Sequence, residues 1–178
     1  PDVAWSGADR LFDELRMVKT DAELATLSRA AHTTDAIIWD AFQTARVGRT
    51  EKEIGDWMQM QMLARGADEG IFLVLGAGDS AGLAHPSPRP RALKDGEVMR
   101  VDFGGLFGGY FSDLARTMVV GHATPQQRDN YARLWAVQQE TIAAIRPGVR
   151  ACDVFALCER RARETGLDFN MPHIGHSL

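Results

Sequence analysis

The sequence predicts an α+β domain, and three observations support that fold class. Capping boxes of the form Thr-x-x-Glu or Thr-x-x-Gln open three stretches of helical periodicity, at Thr20, Thr50 and Thr124. Two runs of strand-forming residues flank a glycine-rich turn between residues 97 and 121, which predicts an antiparallel hairpin. The order helix, glycine, helix, glycine, strand then occurs twice, which predicts two similar halves.

The first half begins with helices. Residues 8–18 carry apolar side chains at three-to-four spacing, which predicts a short helix or turn leading in. A long helix begins after Thr20 and should run to about Arg46. A second helix follows Thr50 and should end near Gly66, since glycine is favoured just past a helix C-terminus.

The remaining elements follow in order. Residues 71–75 read as a buried strand, and residues 76–90, with three prolines and one histidine, as a loop. The hairpin comes next, and a third long helix follows it, with proline at its first position and a Pro147-Gly148 stop. A further helix should close near Gly166.

Helix-terminating glycines support the internal repeat. Gly48 and Gly148 are 100 residues apart, and so are Gly66 and Gly166. Because glycines are common at helix ends, coincidence is the alternative to a repeat. The repeat predicts a pseudo-symmetric domain whose second half has only begun its strands where the sequence stops.

These observations give an expected division of the chain. Residues 1–19 form a lead-in segment, and residues 20–178 form a partial domain. Its first half spans about 20–121, and the start of its second half spans about 122–178.

Composition narrows the class of protein. A length of 178 residues suits one domain with a real core, and a net charge of −4 gives no reason to expect nucleic acid as a partner. No run approaches the roughly 20 apolar residues that span a bilayer, and residues 1–5 lack signal-peptide features. Cys152 and Cys158 fit no disulfide or CxxC metal pattern. We therefore expect a cytoplasmic protein with no membrane or nucleic-acid partner.

Two aspartates stand out in the hairpin. Asp102 and Asp113 are eleven residues apart, each within or beside a strand-like run where an apolar or small residue is the default. Buried carboxylates are costly unless they are paired or bound to a metal, and a divalent cation between them would remove their repulsion. The alternative is a pair of carboxylates that cap nearby N–H groups in turns.

Histidines supply the other candidate ligands. His85 lies in the proline-rich loop, and His173 and His176 lie near the end of the sequence. Carboxylates suit Mn²⁺, Mg²⁺ and Ca²⁺, and added imidazoles extend the choice to Zn²⁺, Co²⁺ and Fe²⁺. Two carboxylates and one imidazole would be an incomplete set for a two-metal centre. An exposed surface position is the alternative for each histidine.

From about Leu15 onward, the chain resembles the pita-bread metallopeptidases, which include Xaa-Pro dipeptidases, aminopeptidase P and methionine aminopeptidases, together with creatinase. The matching residues lie at 15–24, at 48–53 and across the hairpin, from Asp102-Phe103-Gly104-Gly105 to Ser112-Asp113-Leu114-Ala115-Arg116-Thr117. The hairpin is the most specific part, because its aspartates have the spacing of the first two metal ligands of the family. The residues around the two aspartates are more similar to those of the Xaa-Pro branch than to those of the methionine aminopeptidases.

The resemblance implies roles for individual residues. Asp102 would chelate one metal and Asp113 would bridge two. The histidine ligand of the family lies in a Gly-His-Gly-like segment, which residues 175–178 match with Ser177 in place of glycine, so that His176 is the expected third ligand. An ungapped reading favours His173 instead, which is otherwise expected to contact substrate. His85 occupies the position of a histidine that contacts the substrate and assists proton transfer.

The same resemblance implies the activity. We expect a pita-bread fold and a metallopeptidase that removes an N-terminal residue from Xaa-Pro peptides or dipeptides by attack of a hydroxide that bridges two metals. Mn²⁺ is the first choice, with Co²⁺, Zn²⁺ or Fe²⁺ as alternatives, and a homodimer is expected by analogy. The family completes its centre with two glutamates beyond the matched region, so the 178 residues alone should be inactive.

Two other functions remain open from the sequence. A metal-dependent hydrolase or lyase of a small metabolite would keep the fold and change the substrate. A non-catalytic binding module would keep the fold without the chemistry. Retention of Asp102, Asp113 and His176 favours an enzyme over such a module.

Overall fold

The computed structural model describes residues 7–176, so that the segment 1–6 of the predicted lead-in and residues 177–178 of the Gly-His-like motif lie outside the described residues. The chain divides into two compact units. The first unit runs to Gly121, and the second covers His122–His176. The second unit begins where the predicted second half begins.

Three helices open the first unit: α1 (Asp9–Met17), α2 (Asp21–Thr44) and α3 (Glu51–Ala64). The predicted capping boxes are present at Thr20 and Thr50, whose hydroxyls accept the N–H of the glutamate three residues on at 3.3 and 3.1 Å. Each glutamate in turn accepts the threonine N–H. These reciprocal bonds satisfy N–H groups that have no partner within the helix and thereby fix both helix starts.

An antiparallel sheet follows the helices. Its strands are β1 (Glu69–Ala77), β2 (Val98–Phe107), β3 (Tyr110–Phe111) and β4 (Leu114–Val119). Strand β2 pairs with β1 along one edge and with β3 and then β4 along the other. The predicted α+β class and antiparallel hairpin are confirmed.

The two faces of β2 differ in chemistry. Met99, Val101 and Phe103 are fully buried in a core that also contains residues of α2 and α3. Arg100 and Asp102 alternate with them and therefore lie on the opposite face. The charged residues of the hairpin thus face away from the helices, on the side of the sheet where a polar site can form.

The turn of the hairpin is shorter than its four glycines suggested. Gly108 and Gly109, at φ +57° and +87°, form the reversal, which only residues tolerant of positive φ adopt easily. Gly104 and Gly105 instead lie within β2. The returning strand is interrupted at residues 112–113, so that Asp113 lies between two strand segments.

Strand β1 extends two residues beyond the predicted 71–75 at each end. The reason is its partner, because β2 is ten residues long and pairs with β1 from Glu69↔Leu106 to Ala77↔Met99. The predicted loop therefore begins later, with a 3₁₀ turn at Gly78–Ser80.

The second unit contains α4 (Pro125–Ala144) and α5 (Ala151–Glu164), which pack on each other. Arg161 of α5 bonds both carboxylate oxygens of Glu140 of α4, at 2.5 and 3.0 Å. Helices α3 and α5 have the same length of 14 residues. The glycines that flank them share positive φ, at +90° and +94° in the first unit and +87° and +73° in the second. The helical part of the predicted repeat is confirmed.

Helix α4 exposes most of the apolar side chains that gave it helical spacing, and its buried residues are Val137 and Thr141. The exposed side chains are Tyr131, Leu134, Trp135, Ile142 and Ile145. Among residues 7–176, no helix is both long and apolar enough to cross a bilayer. Cys152 and Cys158 are free thiols.

Candidate metal centre

Asp102 lies in the middle of β2, opposite Val74 of β1 and Ala115 of β4. Its side chain is on the sheet face that points away from the helices. One carboxylate oxygen, Oδ1, is buried and has no hydrogen-bond partner among the described residues. A buried carboxylate oxygen left in this state costs free energy, which is tolerated in native proteins mainly at functional sites.

Asp113 lies near Asp102, at the point where the returning strand is interrupted. Leu106 pairs with Phe111 and Phe103 pairs with Leu114, which leaves Gly104 and Gly105 opposite residues 113 and 112. Asp113 is therefore a diagonal neighbour of Asp102, two residues along β2. The two carboxyl groups share a hydrogen bond. The structure thus brings together the two predicted ligands of the hairpin.

The environment of Asp102 raises its pKa. Burial is the largest cause, followed by the negative charge of Asp113 and the hydrogen bond between the two carboxyl groups. The charges of Arg100 and His85 act in the opposite direction and lower it. The protonated form of Asp102 is therefore favoured more than that of a free carboxyl group.

The donor set fits a divalent cation. Carboxylate oxygens are hard ligands that suit Mn²⁺ and Mg²⁺, and Zn²⁺ or Co²⁺ with an added imidazole. A cation at the Asp102 and Asp113 carboxylates would satisfy the orphaned Oδ1 and replace their repulsion by attraction. Within residues 7–176, no group of three or more potential ligands is close enough to hold a metal.

The loop that carries His85 is anchored on both sides of that residue. Arg100 of β2 donates to the carbonyls of Leu83 and Ala84, at 2.7 Å each. On the other side, the Leu75 N–H donates to the Pro86 carbonyl at 3.2 Å. The His85 side chain is exposed, and its charge acts on Asp102. The backbone bonds therefore hold a solvent-accessible imidazole whose charge reaches Asp102, and its role in contacting substrate stays a prediction.

A buried ion-pair network anchors the far end of this loop. Glu51, at the first position of α3, is fully buried and accepts the backbone N–H groups of Ala77 and Arg89 at 3.2 and 3.0 Å. Its carboxylate also pairs with the guanidinium of Arg89 at 3.1 Å. The Arg89 guanidinium also pairs with the carboxylate of Asp79, and Arg91 pairs with Glu97.

Sequence analysis did not single out Glu51, because a glutamate inside a capping box is expected at the surface. The one signal was the number of arginines in the loop that follows β1.

His173 and His176 lie in the second unit, in the irregular segment after α5, and both are exposed. Both histidines are among the described residues, but Ser177 and Leu178 of the motif are not. Their roles as substrate-binding residue and third ligand stay predictions.

The sequence profile of Metallopeptidase family M24 matches residues 25–178. This range contains β1 to β4, the aspartate pair, His85 and the whole second unit. It also covers more than half of the chain.

Curated proteins match along almost the whole chain. A protein described as Xaa-Pro dipeptidase from Pyrococcus furiosus is 26% identical over 172 residues, which are 96% of this chain and 49% of that protein. A protein described as "Probable dipeptidase PepE" from Mycobacterium tuberculosis is 31% identical over 173 residues, 96% of this chain and 46% of that protein. The chain spans about half the length of these relatives.

Solved structures have the same fold. The crystal structure of dipeptidase PepE from Mycobacterium ulcerans superposes with a TM-score of 0.85 at 30% identity, over 89% of this chain and 43% of that chain. The described fold therefore matches part of the pita-bread fold that the family resemblance implies. Together with the family match, it establishes that this chain belongs to metallopeptidase family M24.

Proposed function

We propose that this protein is a metal-dependent peptidase that removes an N-terminal residue from Xaa-Pro peptides or dipeptides. The single observation that carries the proposal is the Asp102–Asp113 pair on the open face of the sheet, with an orphaned buried oxygen and an imidazole nearby. The Xaa-Pro preference draws support from the Pyrococcus furiosus relative, which is described as an Xaa-Pro dipeptidase.

The two carboxylates would hold the metal ions. Asp102 offers an oxygen that has no hydrogen-bond partner among residues 7–176, and Asp113 reaches the same point from the interrupted strand. When bound, a pair of divalent ions supplies an activated water for attack on a peptide carbonyl and polarises that carbonyl. His176, or His173 in the ungapped reading, would add an imidazole ligand.

His85 would orient the substrate and move a proton. Its backbone is held at both neighbours, while its side chain is open to solvent. A neutral imidazole can donate a hydrogen bond to a developing oxyanion or pass a proton to a leaving amine. Arg100 holds the loop in place through two carbonyls and keeps its positive charge near the carboxylate pair.

Several finer features belong to the same proposal. Mn²⁺ is the first choice of metal, with Co²⁺, Zn²⁺ or Fe²⁺ as alternatives, because carboxylate-rich sites accept all of them. The free thiols of Cys152 and Cys158 support a reducing compartment such as the cytoplasm. A homodimer is proposed by analogy, and size-exclusion chromatography with light scattering would test it.

The test is an assay of the full-length protein with Mn²⁺ or Co²⁺ against Xaa-Pro dipeptides and longer Xaa-Pro peptides. We expect cleavage that is lost on removal of the metal by a chelator. Asp113→Asn should abolish cleavage and weaken metal binding, because it removes one ionised ligand at almost unchanged volume. Asp56→Asn is the matched control, since Asp56 forms an exposed ion pair with Lys52 on the surface of α3.

The outcomes separate the candidate functions. Cleavage of peptides without proline would keep the metallopeptidase and remove the Xaa-Pro preference. Metal binding without peptide cleavage would point to a hydrolase or lyase of a small metabolite. Neither metal binding nor cleavage, with Asp113→Asn indistinguishable from wild type, would leave a binding module and overturn the proposal.

A further inference from the structure

The side chain of Ser112 makes one of the hydrogen bonds that a backbone carbonyl makes in a regular strand pair. Its N–H donates to the Gly105 carbonyl at 2.9 Å, as an antiparallel ladder requires. The Gly105 N–H, however, donates to Ser112 Oγ at 3.1 Å and not to the backbone carbonyl. The serine hydroxyl thus satisfies β2 while the backbone departs from strand geometry, and the interruption between β3 and β4 begins at this residue.

A second hydroxyl holds Ser112 from the helix side. Thr34 Oγ1 of α2 lies 2.6 Å from Ser112 Oγ, and the two residues are 78 positions apart in the chain. Both are buried, with 0% and 1% of their surface exposed. Either hydroxyl can donate in this bond, and Ser112 Oγ also lies 3.4 Å from the Gly105 carbonyl oxygen. Removing one of the two buried hydroxyls would leave the other with one hydrogen bond fewer, which costs free energy.

The bridge acts across the sheet. Ser112 lies opposite Gly105, on the face that packs against the helices, and Asp113 follows it onto the face that carries Asp102. On that face the chain passes close over Gly104, where an added Cβ would collide with the Ser112 carbonyl oxygen and the Phe72 ring. The backbone leading to Asp113 is therefore confined from both sides.

We propose that Thr34 and Ser112 form a buried hydroxyl bridge that positions Asp113 beside Asp102 and so sets the affinity and geometry of the metal centre. The inference rests on the proposed function for the identity of the ligand, a divalent cation. Thr34 is a positioning residue: it lies on the opposite side of the sheet and acts through Ser112 and the backbone.

The test compares four variants of the full-length protein. Thr34→Val removes the hydroxyl at similar volume, whereas Thr34→Ser keeps a hydroxyl at this position. Ser112→Ala removes the bond to Thr34 and also the bond to the Gly105 N–H. Ile37→Val is the matched control, since it shortens a fully buried side chain of the same helix and removes no hydroxyl.

Metal binding is the first readout. We expect Thr34→Val to weaken Mn²⁺ binding in calorimetric titration by about tenfold, the effect typical of residues that orient a metal ligand. Ser112→Ala should weaken it further, and Thr34→Ser should return it close to wild type. The visible absorption of bound Co²⁺ should change in Thr34→Val and stay unchanged in Ile37→Val, because the band reports ligand geometry.

Amide hydrogen exchange of the metal-free protein is the second readout. Thr34→Val should speed exchange at Gly105 and Ser112 beyond any effect of Ile37→Val. Equal exchange and equal metal affinity in these two variants would overturn the bridge. If wild-type protein bound no Mn²⁺ while Thr34→Val still sped exchange, the bridge would hold Asp113 in place and the proposed metallopeptidase would be wrong.

Discussion

At the scale of single residues, the site could be predicted where the residue type contradicts its surroundings. Asp102 and Asp113 stand out because aspartate is rare in strands, whereas His85 is a candidate only through the family resemblance, since a histidine in a proline-rich loop is ordinarily an exposed residue. Gly104, Ser112 and Thr34 could not be found in this way. Small and hydroxyl residues are ordinary in such positions, and their role depends on contacts between segments up to 78 residues apart.

Asp102→Asn should stabilise the metal-free protein. The raised pKa of Asp102 means that its contribution to folding is fully present at acid pH, below the unfolded pKa, and is lost as the pH rises through the folded pKa. Ionisation of Asp102 therefore opposes folding as the pH rises toward neutral. The variant should raise the free energy of unfolding by about 0.5–1 kcal/mol, since solvent screens a half-buried pair.

Denaturant unfolding in the presence of a chelator would measure this effect at neutral and at acid pH. The gain should shrink at acid pH, where wild-type Asp102 is protonated and no longer repels Asp113. A variant less stable than wild type at neutral pH would contradict the predicted repulsion. The same variant should lose metal binding.

Gly104→Ala should damage the site through shape alone. An added Cβ has no room beside the Ser112 carbonyl and the Phe72 ring, so that the strand carrying Asp113 must move. We expect a loss of about 1–3 kcal/mol in stability and at least tenfold weaker Mn²⁺ binding. Gly82→Ala is the matched control, because a Cβ there meets nothing within 4 Å. Equal behaviour of the two variants in melting and titration would refute this account.

At the scale of elements, local sequence predicted where helices start better than it predicted which segments contact each other. Three capping boxes were predicted and three are present, because the bonds that define them join residues three positions apart. The loop after β1 shows the opposite case. Its anchors are Glu51 and Arg100, which contact residues 16 to 38 positions away, and no local pattern indicates such contacts.

Glu51→Ala should destabilise the protein by about 2–4 kcal/mol, since it leaves the backbone N–H groups of Ala77 and Arg89 without their acceptor, while the Arg89 guanidinium keeps its pair with Asp79. Thermal or denaturant unfolding would measure the loss. Asp56→Ala provides the comparison, because its pair with Lys52 is exposed and should contribute less than about 1 kcal/mol. Similar losses in both variants would show that the network does not hold the loop.

At the scale of the whole molecule, the fold class was predictable because helix-terminating glycines recur in the sequence at a fixed interval. Glycines 100 residues apart fall at equivalent ends of α3 and α5. The arrangement of a complete metal centre was not predictable to the same degree. Within residues 7–176, the structure brings together two carboxylates and no third ligand.

The 178-residue chain by itself should therefore bind Mn²⁺ weakly and cleave no Xaa-Pro peptide. Two carboxylates provide fewer donors than a two-metal centre needs. Isothermal titration with Mn²⁺, alongside a peptide-cleavage assay, would measure both properties. Tight uptake of two ions per chain would contradict the expectation and would mean that the described residues suffice.

The orphaned oxygen of Asp102 has a consequence for the life of the protein in a cell. A folded state that carries an unsatisfied carboxylate is less stable until an ion arrives, and a ligand that binds only the folded state shifts the equilibrium by mass action. Proteases and chaperones act on the unfolded fraction. We therefore expect the abundance of this protein to follow the supply of its metal, so that scarcity removes the molecule as well as its activity.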